Sequence, residues 1–411
     1  MPKFKSVGRY GRLSLRVVLI VVFCTLAYLM LTGRQLLSEV SAEPRPVEVE
    51  GLSASETRRL GWDPVRLQAV FEYTASLSTD SFVIVSQGRL VGAYGDIEQP
   101  YHLHSIRKAL LSALVGQHLG AGTAQINLND NLLELGIDDA PHPLTPLQKT
   151  ATVRHLLKSM SGINHAAAAE AGLTAEKNRR LGRQENVPGT IWAYNNWDYN
   201  ALTTIFETRT GIGVGEAFDI GLAEPLGMQD FTREDVSYIE APELSQHRAA
   251  MFHMSARDLV RIGELYLNSG VMNGNSVLPE SWVDRVAADF IETGEVGLRS
   301  GHSYLWWIPD PQSGLPAGTF WAWGFGQQAL FVIPAWQTVI VHQSDTKEFR
   351  KRFFGLIRDK AMEPQMALER LALSCREQKF RTSEFCLEHR FTLNREFAKL
   401  MLLVANARRE K

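Results

Sequence analysis

The sequence predicts an α/β (α+β) fold, because two β-hairpins bracket a long segment with helical patterns. The first hairpin joins residues 81–85 and 90–94 through a Gln87-Gly88 turn. The second joins residues 329–333 and 338–342 through four residues that begin at a proline. A last helix, over about residues 393–409, has an apolar stripe that predicts packing on a sheet, formed by Phe397, Leu400, Met401 and Val404.

An S-x-x-K tetrad, Ser105-Ile106-Arg107-Lys108, lies between the hairpins and directly before an apolar-periodic run. A helix that begins at the serine places Lys108 one turn on and on the same face as Ser105. A serine hydroxyl is a poor nucleophile until a base takes its proton, and a desolvated lysine can be that base. Such tetrads also arise by chance, so an ordinary helix start with a solvated lysine is the alternative.

Tyr194 and Asn196 form a Y-x-N pattern in a turn-rich segment that precedes a helical pattern. A phenol flanked by ammonium charge ionises more easily, which predicts a second proton carrier. The asparagine can donate to an acyl carbonyl and orient the lysine. The alternative is a loop tyrosine packed beside two tryptophans.

The second hairpin has a glycine-rich start that runs from Trp323 to Gln327. Glycine lets backbone N–H groups approach a ligand closely. We therefore expect Gly326 and Gln327 to close the other side of the site.

In this order the motifs resemble those of the serine β-lactamase, penicillin-binding protein and esterase superfamily. The class C-like branch, which includes carboxylesterases and 6-aminohexanoate-dimer hydrolases, is most similar. The resemblance covers about residues 65–345 and the C-terminal helix, and further matching segments are 160–163, 224–228 and 254–259. It implies a β-lactamase-like antiparallel sheet flanked by helices, with an inserted helical region and the site in a cleft.

The resemblance also implies acyl transfer without a cofactor or a metal. Ser105 would be the nucleophile, Lys108 its proton acceptor and Tyr194 the proton relay. The oxyanion hole would combine the Ser105 N–H with one N–H near Gly326 or Gln327, and Asn196 would contact the substrate. The family's K-T-G lysine has no counterpart in residues 323–327, which favours a neutral or small ester or amide over an anionic β-lactam.

Composition is that of a folded enzyme: 411 residues, 45% hydrophobic, 21% charged and a formal net charge of −2. This charge gives no support to nucleic-acid binding. Basic residues precede an uncharged run, 17–31, which predicts export and either a cleaved signal peptide or a membrane anchor. We favour the anchor, with the remaining chain in the periplasm; the sequence does not indicate an oligomeric state.

Three regions follow from these patterns: a signal anchor or signal peptide (1–33), a linker (34–62) and a hydrolase domain (63–411). Residues 347–390 are an extra helical segment outside the family pattern. In an oxidising compartment Cys375 and Cys386 can close a small loop, so they are a disulfide candidate.

Other features have weaker functional interpretations. His102 and His104 lack a third metal ligand in the sequence. Four tryptophans either line an acyl pocket or belong to the core: Trp306, Trp307, Trp321 and Trp323. Three functions remain open: an exported serine hydrolase, a cell-wall D-amino-acid peptidase or β-lactam-binding protein, and a non-catalytic membrane-associated binding module.

Overall fold

Both hairpins form, and they lie side by side in one sheet. The structure, a computed structural model, describes residues 50–120, 125–170, 174–347, 351 and 394–408. With strands numbered in chain order, β2 (Ser81–Ser86) and β3 (Arg89–Gly95) make the first hairpin, and β13 (Gln328–Ile333) and β14 (Thr338–Gln343) the second. β14 pairs with β2, so segments from both ends of the domain share the sheet.

Within the described residues this sheet has nine strands, and each neighbouring pair is antiparallel. The order from edge to edge is β1 (Glu50–Gly51), β3, β2, β14, β13, β12 (Phe320–Gly324), β11 (Trp306–Ile308), β10 (Gly301–Ser303) and β9 (Ile291–Glu292). Two smaller sheets are β4 (Tyr101–His102), β6 (Ser245–Met254) and β5 (Val236–Ala241), in that order, and β7 (Val271–Met272) with β8 (Asn275–Ser276). The expected antiparallel sheet is confirmed.

Helices flank the sheet and fill the region between the hairpins. In chain order they are α1 (Ala54–Arg59), α2 (Pro64–Ala75), α3 (Arg107–Gln117), α4 (Val153–Leu157), α5 (Thr174–Leu181), α6 (Asn196–Thr210), α7 (Val214–Phe218), α8 (Glu224–Leu226), α9 (Ala256–Leu267), α10 (Glu280–Ala288) and α11 (Asn394–Ala407). The predicted stripe of α11 is buried, and Phe397 contacts the rings of Trp321, Phe331 and His342. The last helix therefore packs on the sheet as expected.

Helix α3 is buried on every side from Arg107 to Gly116. A helix that is apolar around most of its circumference belongs in a core rather than at a surface. Gln117 at its end donates to the carbonyls of Gly221 and Val277. These contacts fix the helix that begins next to the tetrad serine.

Residues 50–62, which the sequence analysis places in the linker, hold β1, α1 and the buried Trp62. The Trp62 indole donates to Ser86 Oγ at 2.9 Å and its ring packs against Trp336. Both partners are distant in the chain, so local composition could not reveal them.

Several predictions lie outside the described residues: the N-terminal segment 1–33, residues 34–49, most of the 347–390 segment, and Cys375 and Cys386. In the part of the chain that is described, no helix has both the length and the apolar character that crossing a bilayer requires.

Candidate active site

Ser105 lies in a single 3₁₀ turn, His104–Ile106, directly before α3. The residue before it, His104, has a φ of 51°, a left-handed value that costs energy for a side chain of this size. Two contacts hold this backbone: the His104 N–H donates to His102 Nδ1 at 3.1 Å, and His104 Nε2 lies 2.7 Å from Thr346 Oγ1. Ser105 is therefore not the first residue of the helix; it lies in a strained turn that these contacts support.

Lys108 lies one turn on, as the spacing predicts, and its Nζ is 2.8 Å from Ser105 Oγ. The lysine is 3% exposed. Burial, and then the charge of Arg107, hold the pKa of Lys108 well below its usual value. A neutral amine has a lone pair, so at this separation it can accept the hydroxyl proton.

Tyr194 lies close to the same serine, whose hydroxyl is near enough to affect the pKa of the phenol. The ring stacks on Trp307, with centroids 5.6 Å apart and planes 12° apart, and Lys108 Nζ lies 4.9 Å from its centroid. Burial raises the pKa of Tyr194 to about 12, against the smaller opposing effects of the Ser105 hydroxyl and of the positive charges of Arg107 and Arg299. Nearby positive charge acts in the expected direction, but desolvation has the larger effect, so the net shift of the Tyr194 pKa is upward.

Arg107 occupies a variable position of the tetrad, to which the motif gives no role. It is a buried cation beside Lys108. Its Nη2 donates to Asn200 Oδ1 at 3.3 Å, and its Nη1 has no hydrogen-bond partner among the described residues. Burial lowers the pKa of Arg107 to about 10, so it remains charged at neutral pH. It disfavours a second positive charge on Lys108.

Asn196 is placed less directly than the Y-x-N pattern suggests. Its Nδ2 donates to the carbonyl of Ala169 at 3.2 Å, and its buried Oδ1 has no partner among the described residues. None of its contacts there reaches Ser105 or Lys108. Asn195 caps α6 instead, and donates to the carbonyl of Ile163 and to Asp198.

The glycine-rich loop between β12 and β13 approaches the serine turn closely. A Cβ on Gly324 would lie 2.4 Å from the carbonyl oxygen of Leu103, so this position admits only glycine. Gly326 has a φ of 77°, and a Cβ there would meet Thr346, the partner of His104. The loop therefore packs against the residues that lead into Ser105.

Gln327 uses its side chain for the fold and not for the cleft. Its Oε1 accepts from the Trp323 indole at 3.1 Å and its Nε2 donates to Asn394 Oδ1 at 2.6 Å. Its carbonyl accepts a hydrogen bond from His342. Only the backbone N–H of Gln327 is left for a role in the oxyanion hole.

The four tryptophans separate into two groups. Trp306 packs against Tyr266 and Phe320 in the core. Trp321 stacks on Phe331 and Phe397. Trp307 belongs to the site, because its ring stacks on Tyr194. Arg299 lies over the rings of both Trp307 and Trp323.

Among the residues that the structure describes, no group of three or more histidine, cysteine, aspartate or glutamate side chains is arranged to hold an ion. The rings of His102 and His104 are 4.2 Å apart, and they support the serine turn.

The family model for Beta-lactamase matches residues 57–356 of this chain. An uncharacterized protein of Alkalihalophilus pseudofirmus is 23% identical over 261 residues, which are 59% of this chain and 72% of that protein. Two solved structures share the fold. One, from Bacillus anthracis, is named as a 6-aminohexanoate-dimer hydrolase (TM-score 0.50, 23% identity, 71% of this chain and 80% of that chain). The other is the octameric penicillin-binding protein homologue of Pyrococcus abyssi (TM-score 0.51, 19% identity, 73% and 78%).

Proposed function

Because this chain belongs to the Beta-lactamase family and is a serine hydrolase, we propose that it cleaves a small-molecule ester or amide through an acyl-enzyme on Ser105. One observation carries the proposal: Ser105 Oγ lies 2.8 Å from the Lys108 amine, and the same amine lies 4.9 Å from the ring centroid of Tyr194. An alcohol between a neutral amine and a neutral phenol has both a base and a proton relay within reach.

In the proposed reaction, Ser105 Oγ attacks the substrate carbonyl while its proton passes to Lys108. The oxyanion accepts hydrogen bonds from the Ser105 N–H and from an N–H of Gly326 or Gln327. The proton then reaches the leaving group through Tyr194 as the bond to that group breaks, which leaves an ester on Ser105. A water molecule then enters in place of the leaving group and attacks the acyl carbonyl, and its proton passes to Lys108 and Tyr194. These groups return a proton to Ser105 Oγ as the ester bond breaks and the acid product departs.

Covalent labelling tests this assignment directly. A fluorophosphonate probe should modify the wild-type protein on the peptide that contains Ser105, and Ser105→Ala should abolish the labelling. Ser112→Ala is the matched control, because Ser112 lies on the adjoining helix α3 and is fully buried. Labelling that persists in Ser105→Ala, or that disappears in Ser112→Ala alone, would overturn the role of Ser105.

Two other functions predict different results in the same assay. Stable labelling by a fluorescent penicillin would favour a D-amino-acid peptidase or a β-lactam-binding protein. Absence of both labelling and turnover across 4-nitrophenyl esters, short amides and nitrocefin would favour a non-catalytic binding module.

We also propose that the domain acts outside the cytoplasm, on an N-terminal membrane anchor. The support is the sequence alone, where basic residues precede the uncharged run 17–31. Fractionation of cells that express the full chain should place it in the membrane with a protease-accessible domain. A cytoplasmic protein would contradict this proposal without affecting the chemistry.

A further inference from the structure

Arg299 places a cation beside the proposed catalytic groups. It ends a 3₁₀ turn, Gly297–Arg299, just before β10. Its Cζ lies 4.7 Å from the ring centroid of Trp323 and 5.5 Å from that of Trp307. Trp307 also stacks on Tyr194, so the guanidinium and the phenol ring both lie against the same indole.

The guanidinium of Arg299 has a single ion-pair partner among the described residues. Its Nη2 lies 2.8 Å from Glu295 Oε2, and no other carboxylate of the described residues pairs with it. A guanidinium has five N–H donors, and none of its nitrogens here is both buried and without a partner. With 23% of the side chain exposed, the remaining donors face solvent.

Arg180 provides an internal comparison. It too lies over a tryptophan, with Cζ 4.6 Å from the Trp192 ring centroid. However, its Nε and Nη2 both bind Glu176, and its Nη1 donates to the carbonyl of Thr293. Arg180 is therefore occupied on every nitrogen by the protein itself, whereas Arg299 lies over two indoles and, among the described residues, pairs with a carboxylate at one nitrogen.

We propose that Arg299 binds a carboxylate of the substrate, so that the preferred esters or amides carry a negative charge. A planar guanidinium fixed on aromatic faces presents its N–H edge in the geometry that a carboxylate matches with two hydrogen bonds. The proposal rests on the hydrolase function above. It revises the expectation of a neutral substrate, which rested on the missing strand-edge lysine and could not anticipate a cation from another segment.

The charge of Arg299 also acts on the catalytic phenol, since it is one of the cations that oppose the effect of burial on the pKa of Tyr194. A carboxylate bound at Arg299 would therefore lie within electrostatic range of the reacting groups. This links recognition of the charge to positioning of the scissile bond.

Two matched ester pairs test the proposal on either side of the scissile bond. The monoester of glutaric acid with 4-nitrophenol is compared with 4-nitrophenyl valerate, and 4-acetoxybenzoic acid with its methyl ester. We expect wild-type kcat/KM to favour the charged member of at least one pair roughly tenfold or more, the size of a charge-assisted hydrogen bond. Arg299→Gln should reduce that ratio about tenfold, mainly through KM of the charged ester, and Arg299→Lys should restore part of it.

Arg261→Gln is the control for a lost positive charge, because Arg261 is exposed on α9 and pairs only with Glu264 among the described residues. Its charged-to-neutral ratio should equal that of the wild type. Wild-type ratios near one in both pairs, or a ratio that Arg299→Gln leaves unchanged, would overturn the role of Arg299 while the hydrolase function stands. If the wild-type protein hydrolysed none of the four esters and Ser105 were not labelled, the hydrolase function itself would be rejected.

Discussion

Lys108 Nζ lies 2.8 Å from Ser105 Oγ, and no carboxylate of the described residues pairs with this lysine. A buried ammonium without a counter-ion is expensive, so the amine loses its proton more readily than in water. Arg107, which is buried and charged next to it, acts in the same direction. The fold thus favours the neutral form of Lys108 because it places no carboxylate of the described residues beside the amine.

The pH dependence of acylation should follow this amine. Only the deprotonated form accepts a proton, and burial holds the pKa of Lys108 well below 10.5. The rate of Ser105 labelling should therefore fall as pH drops through that lowered pKa, and stay high above it. Labelling rates with an uncharged probe across pH 5–10 provide the measurement.

The matched variant for this profile is Lys108→Arg, which keeps a long basic side chain but has no neutral form near pH 7. We expect acylation to fall at least about 10³-fold at every pH in the range. Labelling at the wild-type rate in this variant would remove Lys108 from its role.

Lys108→Met should stabilise the fold while it removes activity. The folded pKa lies well below the unfolded value of 10.5, so at pH values between the two the unfolded chain binds a proton that the folded chain does not. Folding must release that proton, and wild-type stability therefore rises with pH until the unfolded lysine also loses it. A methionine avoids this cost, and we expect a gain of about 2–4 °C in Tm at pH 7 that shrinks toward pH 10. A lower Tm than the wild type at pH 7 would contradict the argument.

Tyr194→Phe should lower the level of the pH profile without moving its acidic limb. Because the pKa of Tyr194 is raised to about 12, the phenol stays protonated through the working range and acts as a relay rather than as the titrating base. Loss of one such group costs about 10²–10⁴-fold in rate. The profile is measured as kcat/KM for a neutral ester between pH 5 and 10.

Tyr199→Phe is the comparison for that substitution. Tyr199 also packs beside Lys108, but its hydroxyl is bonded to Ser159 Oγ at 2.6 Å. It should lose far less activity than Tyr194→Phe. An acidic limb that shifts in Tyr194→Phe would show that the phenol, and not the amine, sets the pH dependence.

Local pattern was enough to predict the hairpins, the last helix and the tetrad. Each depends on neighbours in the chain: alternation flanks the Gln87-Gly88 turn, and the three-residue step from Ser105 to Lys108 is one helical turn. The antiparallel, helix-flanked layout was implied by the family resemblance that the motifs carry. Strand order within the sheet, such as β14 beside β2, depends on pairing between distant segments, so local pattern could not predict it.

Local pattern could not predict the contacts that distant segments make with the site. Trp307 stacks on Tyr194, and Arg299 lies over Trp307, because β10, β11 and the turn before them pack there. The direction of the Tyr194 pKa shift depends on burial, which local pattern does not reveal. Trp62 was placed in a linker because its partners, Ser86 and Trp336, are far along the chain.

Tyr304→Phe should destabilise the turn that precedes Trp307 on β11. Tyr304 and Leu305 form the two-residue turn between β10 and β11 with φ values of 44° and 74°, which are unfavourable for such large residues. The Tyr304 hydroxyl accepts from Arg154 Nη1 and donates to Asp289, both at 2.7 Å. We expect a loss of about 1–3 kcal/mol in the free energy of unfolding, measured by urea denaturation, and a lower kcat/KM. A variant with wild-type stability would show that these bonds do not hold the turn.

Asp198→Asn should make the protein more stable at high pH. Asp198, on α6, is fully buried; its Oδ1 accepts from Ser161 and Asn195, and its Oδ2 has no partner among the described residues. Burial raises its pKa to about 8 from 3.8. Because the folded pKa exceeds the unfolded one, the stability present below pH 4 is lost progressively as pH rises toward 8.

Asparagine keeps the shape and the Oδ1 acceptor but cannot ionise. The Tm of Asp198→Asn minus that of the wild type should therefore grow between pH 5 and pH 8, by several degrees, and then level off. Asp258→Asn is the contrasting variant, because both oxygens of Asp258 accept from backbone N–H groups of Gln229, Asp230 and Phe231. An amide there turns a donor toward other donors, so its Tm should fall over the whole range. A Tm difference for Asp198→Asn that is constant from pH 5 to 8 would show that this carboxyl does not titrate in the folded protein as its burial requires.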